Sequence, residues 1–174
     1  MSSEAATSLG FWIRTLFIGR RPFWTAVRIA VVITVSVVLF KYVVVLRKIE
    51  STSMAPALQD GTIHVIYRLA YRGANTPQRG DIVSVRTSGE TVTYVKRVIG
   101  LPGETISILH GVVHIEGQPL EEPYVRFPRQ PWQRSPVKLQ PDEFYLIGDN
   151  RSMPQDRHEF GRVEGRRILG KVVW

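Results

Sequence analysis

No cysteine occurs among the 174 residues. Disulfides, thiolate chemistry and cysteine-based zinc sites are therefore excluded, and the redox compartment stays open. Carboxylates are scarce: 15 Asp and Glu stand against 23 Lys and Arg, a formal net charge of +8. Such an excess suits nucleic acid, anionic lipid or an acidic partner. A stripe of basic residues interleaved with aromatics, as a nucleic-acid groove wants, is missing, so no nucleic-acid partner is expected. His64, His110, His114 and His158 are scattered, with no H-x-x-x-H ligand pair. The oxygen-rich run 148–156 lacks a closing bidentate Glu and contains Arg151, so no metal is expected there. The nucleophile elbow G-x-S-x-G is absent too. There is no repeat of fixed period and no low-complexity tract.

What is present falls into two parts. "IAVVITVSVVLF" (29–40) carries no charge. Extended over 23–46 the run is long enough for a membrane span, with Arg28 and Lys41 reaching opposite interfaces and Trp24 and Tyr42 as anchors. It has no polar helical face, and it is too long for a strand. The flank "RKIESTSM" offers no small-x-small cleavage site, which argues against a removed signal peptide. Seven basic and two acidic residues lie in 1–50, a net of +5, so much of the basic excess surrounds this run. Arg14, Arg20, Arg21 and Arg28 precede it, against Arg47 and Lys48 after it, which places the N-terminus in the cytoplasm. The expected organisation is a basic cytoplasmic segment 1–22, a transmembrane helix 23–46 and an extracytoplasmic domain 47–174. "FWIRTLFIG" (11–19) reads as a short interfacial helix.

After residue 50 the pattern changes. The stretches 61–71, 80–87, 90–100, 104–117 and 142–150 are short, β-branched and bounded by Gly, Pro and Asn. "TSGE" (87–90) and "LHG" (109–111) read as hairpin turns, and the Pro- and Arg-rich 121–136 as an exposed loop. The expected fold is mainly β: a folded-over antiparallel sheet or partly open barrel behind one N-terminal helix.

Three places could carry chemistry. Ser51 and Ser53, just past the apolar run, are either polar residues that end a helix or a nucleophile with its helper. Lys96, in "TVTYVKRVIG", either reaches the rim of a sheet or is desolvated and able to take a proton from a hydroxyl. Asp149, Asn150, Arg151 and Asp156, in "GDNRSMPQD", form a turn held by side chain to backbone hydrogen bonds, or less readily a cation site.

Together these segments resemble the type I signal peptidases, membrane serine endopeptidases with a Ser/Lys dyad. "STSMAPAL" is similar to the family's S-x-S-M-x-P-T-L box, "RGDIVSV" to G-D-x-V-x-F, and "YVKRVIGLPGE" to K-R-V-I-G-x-P-G-D. "GVVHIEGQPLEEPY", "GDNRSMPQDRHEFG" and "GRVEGRRILGKV" resemble the segments that follow, in family order. The resemblance implies Ser53 as nucleophile and Lys96 as general base, with an oxyanion hole from the Ser53 N–H and the Ser51 hydroxyl. Met54, Pro56, Asp149, Asn150, Arg151 and Asp156 would be structural supports. It implies no cofactor and no metal. It implies a monomer in the plasma (inner) membrane, acting on extended signal peptides with small residues at the first and third positions before the cut. A specialised maturation peptidase (pilin or conjugation protein) and a non-catalytic binding domain of the same fold are the alternatives. Four positions depart from the boxes: Glu104 stands for Asp, Ala57 for Thr, and Pro154 for the serine that bonds the lysine. Aligned without gaps, His158 stands for the arginine that supports the family's aspartate; a one-residue gap would put Arg157 there but displace Gly161.

Overall fold

The computed structural model describes residues 22–86, 93–158 and 161–173. The expected interfacial helix 11–19 and the turn 87–90 lie outside the described residues. The chain divides into two compact units, Met1–Val43 and Val44–Trp174.

The first unit is helix α1 (Pro22–Val38), continued by a wider helical turn, Leu39–Val43. Its 21-residue apolar span, Phe23–Val43, is not buried at all within the protein. At 1.5 Å per residue it is about 30 Å long, the thickness of a hydrocarbon core. The helix stops three residues short of the expected end at 46. Val44–Leu46 instead pair with Val65–Tyr67, satisfying their backbone groups in a ladder.

The second unit is antiparallel β. Its strands are β1 (Val44–Lys48), β2 (Ile63–Tyr67), β3 (Ile82–Arg86), β4 (Thr93–Gly100) and β5 (Thr105–Leu109). They continue with β6 (Val112–Ile115), β7 (Gln118–Pro119), β8 (Arg134–Lys138), β9 (Glu143–Ile147), β10 (Gly161–Glu164) and β11 (Ile168–Val173). One sheet has the order β1-β2-β11-β3-β4-β9-β10, the other β7-β6-β5-β8, and neither closes into a barrel. The β5–β6 turn is the expected "LHG" hairpin, with His110 and Gly111 both at positive φ.

Alternation along the strands builds three apolar clusters. Val83, Val85, Val98, Phe144 and Leu146 fill one face of the larger sheet. Ile99, Tyr145 and Ile147 of that sheet pack with Ile106, Ile108, Val113, Trp132 and Leu139 around the smaller one. Ile49, Met54 and Leu58 form the third, against Ile82, Val95 and Val172. The stretch 121–136 is not simply the exposed loop its Pro and Arg content suggests. Trp132 is buried and donates Nε1–H to the Met153 carbonyl at 3.1 Å, Glu122 is buried, and strand β8 begins at Arg134. A large indole and a carboxylate with a buried arginine partner outweigh the local turn composition.

Candidate active site

The site begins at a short turn. Ser51 caps a single 3₁₀ turn, Thr52–Met54, and its Oγ accepts the Ser53 N–H at 3.2 Å. Met54 is fully buried among Ile49, Leu58 and Val95, which pins the turn to the sheet. The turn packs against β4. Ser53 is thereby held at 5% exposure. Pro56, joined to Ala55 through a cis peptide, is exposed.

The segment after β9 clasps this turn from the other side. Asn150 N–H donates to the Ser53 carbonyl at 3.0 Å, and Asn150 Nδ2 to the Thr52 carbonyl at 3.1 Å. The Asn150 Oδ1 in turn accepts the Ser152 N–H and hydroxyl, the latter at 2.6 Å. Gly148 has no room for a side chain. A Cβ there would overlap the Ser53 carbonyl oxygen and sit 2.8 Å from His158 Cε1.

Lys96 is also buried, at 5% exposure. The β4–β9 ladder pairs Arg97 with Ile147. Antiparallel register carried one residue further sets Lys96 opposite Gly148, with both on one face. That face is the one on which the absent Gly148 side chain would meet Ser53. Ser53 and Lys96 lie 43 positions apart in sequence, and Gly148 is next to the Ser53 carbonyl and opposite Lys96 in the extended register. Arg97, on the opposite face, makes a two-point contact with Asp149 at 2.8 and 2.5 Å, donates to the Gly80 carbonyl at 2.7 Å and stacks 4.1 Å over Tyr124.

Two ion pairs with buried carboxylates hold the clasp. Besides Arg97–Asp149, the Arg151 guanidinium grips both Glu122 oxygens, one at 2.9 Å, and its Nε donates to the Gly148 carbonyl at 3.0 Å. Glu122 also accepts from the Tyr124 hydroxyl at 2.9 Å and from Arg129 at 3.3 Å. This second pair was not anticipated, because a Glu in a Pro-rich stretch carries no local sign of its partner. Asp156 is exposed in the turn Gln155–Arg157 and takes no part in the clasp.

His158 sits at 2% exposure, its ring 4.6 Å from that of Trp132 and its Nε2 accepting the Gly148 N–H at 3.0 Å. Burial, then the positive charges of Lys96 and Arg151, push its pKa down to about 3. The ring is therefore neutral, with Nε2 free to accept. An unfolded histidine titrates near 6.5. Between pH 6.5 and 3 the unfolded chain binds the extra proton, so this contribution is complete above 6.5 and is lost on acidification. His158→Asn should reduce the pH dependence of stability in that window, by up to about 1.4 kcal/mol per pH unit relative to the parent. Urea unfolding of the full chain in detergent from pH 7 to 4 measures it; parallel curves for parent and variant would refute the assignment.

A groove of about 550 Å³ opens beside Ser53, lined by residues 46–51, Ser53, Met54, Ile66, Ser84 and residues 93–95. Along β4, strand β3 pairs from Thr93 onward, but β9 joins only at Arg97.

Residues 23–174 match the family described as Signal peptidase, peptidase S26. The chain belongs to that family. It is 38% identical over 135 residues to a signal peptidase I of Leptolyngbya laminosa, covering 73% of this chain and 66% of the relative. It is 32% identical over 167 residues to a signal peptidase I of Bacillus caldolyticus, covering 88% of each chain. A crystal structure of a signal peptidase I from Enterococcus faecalis aligns at a TM-score of 0.46 and 25% identity, over 58% of this chain and 100% of that one. The chain spans 66% and 60% of the lengths of the Leptolyngbya relative and of a Synechocystis probable signal peptidase I-2.

The departures from the family boxes now have structural readings. Glu104 replaces Asp without loss: one oxygen pairs with Arg79 at 2.5 Å, the other accepts the Leu101 N–H at 2.7 Å. Pro154 is exposed at the start of the 155–157 turn, and the Ser152 hydroxyl is engaged by Asn150. His158 supports the Gly148 backbone as a neutral ring.

Proposed function

We propose that this chain is a membrane-anchored serine endopeptidase that removes signal peptides from exported preproteins, with Ser53 as nucleophile and Lys96 as general base. The reading is supported by the burial of two reactive side chains, Ser53 and Lys96, each at 5% exposure, and by Gly148, which packs on the Ser53 carbonyl and continues the register opposite Lys96. Burial disfavours an ammonium, so a lysine in this setting can act as a base. Lys96 takes the Ser53 proton as Oγ attacks the scissile carbonyl. The Ser53 N–H leaves its 3.2 Å bond to Ser51 Oγ for the developing oxyanion, and the Ser51 hydroxyl turns to donate beside it. The protonated Lys96 then supplies the leaving amine, and an acyl-enzyme forms on Ser53. Lys96, neutral again, activates the water that releases the product.

Substrate binds as an extended strand in the groove beside Ser53. The residues at the first and third positions before the cut are small. Helix α1 with its following turn spans the plasma (inner) membrane once, N-terminus in the cytoplasm, and the β-unit from Val44 onward works outside as a monomer. No metal or cofactor takes part.

The test is incubation of the detergent-solubilised full chain with a preprotein, with the new N-terminus read by mass spectrometry. Absence of cleavage, or cleavage that persists in Ser53→Ala, defeats the proposal. Gly148→Ala gives a further check. The added methyl forces the Ser53 carbonyl away from Asn150, and displacements near 1 Å cost on the order of 10²-fold in rate. Overpacking should also cost about 1–3 kcal/mol of stability. Cleavage kinetics and urea unfolding measure the two effects.

A further inference from the structure

Next to the substrate groove lies a smaller cavity of about 110 Å³, lined by Val45, Arg47, Ile66, Arg68, Ser84, Arg86 and Leu169. Register explains why three arginines meet there. Val45 pairs with Ile66, and Arg47 with His64, so Val45, Arg47, Ile66 and Arg68 share one face of β1 and β2. Ser84 and Arg86 alternate onto the same face of β3, whose partner face at Val83 and Val85 is filled with apolar core. Neither Arg47 nor Arg86 pairs with a carboxylate among the described residues. A solvated basic patch would need nothing more. Here, however, the fully buried Ser84 hydroxyl has no hydrogen-bond partner among the described residues. A buried hydroxyl left unsatisfied is costly, and a ligand oxygen in the cavity would satisfy it.

We propose that this cavity binds the phosphate of an anionic phospholipid headgroup. Guanidinium groups match phosphate oxygens two at a time, and the Ser84 hydroxyl adds a donor at the floor. Val45, Ile66 and Leu169 offer apolar surface that a free phosphate would not use but the glycerol of a lipid would. The other face of the β1–β2 pair exposes Leu46 (54%), Ile63 (69%) and Tyr67 (39%), side chains suited to a bilayer interface. Arg47 follows Val43, the end of the apolar span, by four positions in the sequence. Arg47, Ile66 and Ser84 also line the groove beside Ser53, so the cavity adjoins it, but the site uses neither Ser53 nor Lys96.

The experiment is a thermal-shift titration of the detergent-solubilised full chain with dihexanoyl-phosphatidylglycerol, dihexanoyl-phosphatidylcholine and inorganic phosphate. Phosphatidylglycerol should stabilise saturably, with an apparent affinity at least tenfold (on the order of one decade) tighter than phosphatidylcholine, and less so as salt is raised. Arg47→Gln/Arg86→Gln should abolish that difference, because exposed arginines leave folding nearly unchanged when replaced. Ser84→Ala should weaken binding about 3- to 10-fold. Arg166→Gln, an exposed control whose side chain is 82% accessible, should bind as the parent does. Equal responses to the two lipids, or an undiminished response in the double variant, overturn the proposal. Inorganic phosphate matching phosphatidylglycerol overturns the lipid assignment. An acidic peptide that shifts the chain where phosphatidylglycerol does not would give the cavity to substrate and overturn it as well.

Discussion

Ser53→Ala and Lys96→Ala should each lower preprotein cleavage by at least about 10⁴-fold while leaving the fold in place, because the proposed nucleophile and base would act as one unit. The double variant should be little worse than either single one. Ser53→Ala removes only an oxygen: the turn keeps its Ser51 cap, which uses the Ser53 backbone N–H, and the Asn150 clasp, which uses its carbonyl. Lys96→Ala removes a buried amine and opens a cavity, so Lys96→Met is the better control. It keeps the apolar stem and discards the titrating group. Cleavage rates in detergent, followed by gel and mass spectrometry, measure the loss; circular dichroism confirms the fold. Substantial turnover in either variant would remove the dyad assignment. Loss in Lys96→Met with a folded chain would exclude a purely structural lysine.

Arg151→Ala should destabilise the β-unit by about 3–5 kcal/mol, the cost of leaving a buried carboxylate without its partner. Glu122 has no exposed side-chain surface and Arg151 about 1%. The effect is more than local, because Arg151 also holds the Gly148 carbonyl and so ties the 121–136 stretch to the segment that seats Ser53. Arg151→Lys should recover little, since an ammonium cannot reproduce the two-point grip. Arg151→Met combined with Glu122→Leu should recover most of the stability, as neither charge is then left buried. Urea unfolding of the four proteins measures the cycle. A loss below about 1 kcal/mol in Arg151→Ala would mean that the pair is solvated in solution.

The proposed chemistry and the stability of the β-unit thus both depend on one short segment, 148–151. Gly148 supplies space, Asn150 the clasp, and Asp149 and Arg151 are each locked by a charged partner from elsewhere in the chain. His158 closes the rear of this segment as a neutral ring. These contacts leave the Ser53 turn few ways to move, which is what a preorganised nucleophile needs.

The sequence by itself determined the apolar span, the all-β class, most strand positions and the residue pair proposed for the chemistry. Those features are local: run length, period-two alternation, turn residues and the order of the boxes can all be read along the chain. Tertiary structure decided what depends on partners far apart. It ended the helix at Val43 because β2 offered Val44–Leu46 a ladder. It made Glu122 and Trp132 core residues inside a stretch that reads as a loop, because Arg151 and His158 come from the other end of the domain. It set Asp156 on the surface and turned His158 into a neutral support, since burial outweighs a histidine's usual titration. It also gathered Arg47, Arg68 and Arg86 over an unsatisfied Ser84, a cluster that no window of sequence contains, because only β-sheet register brings those strands side by side.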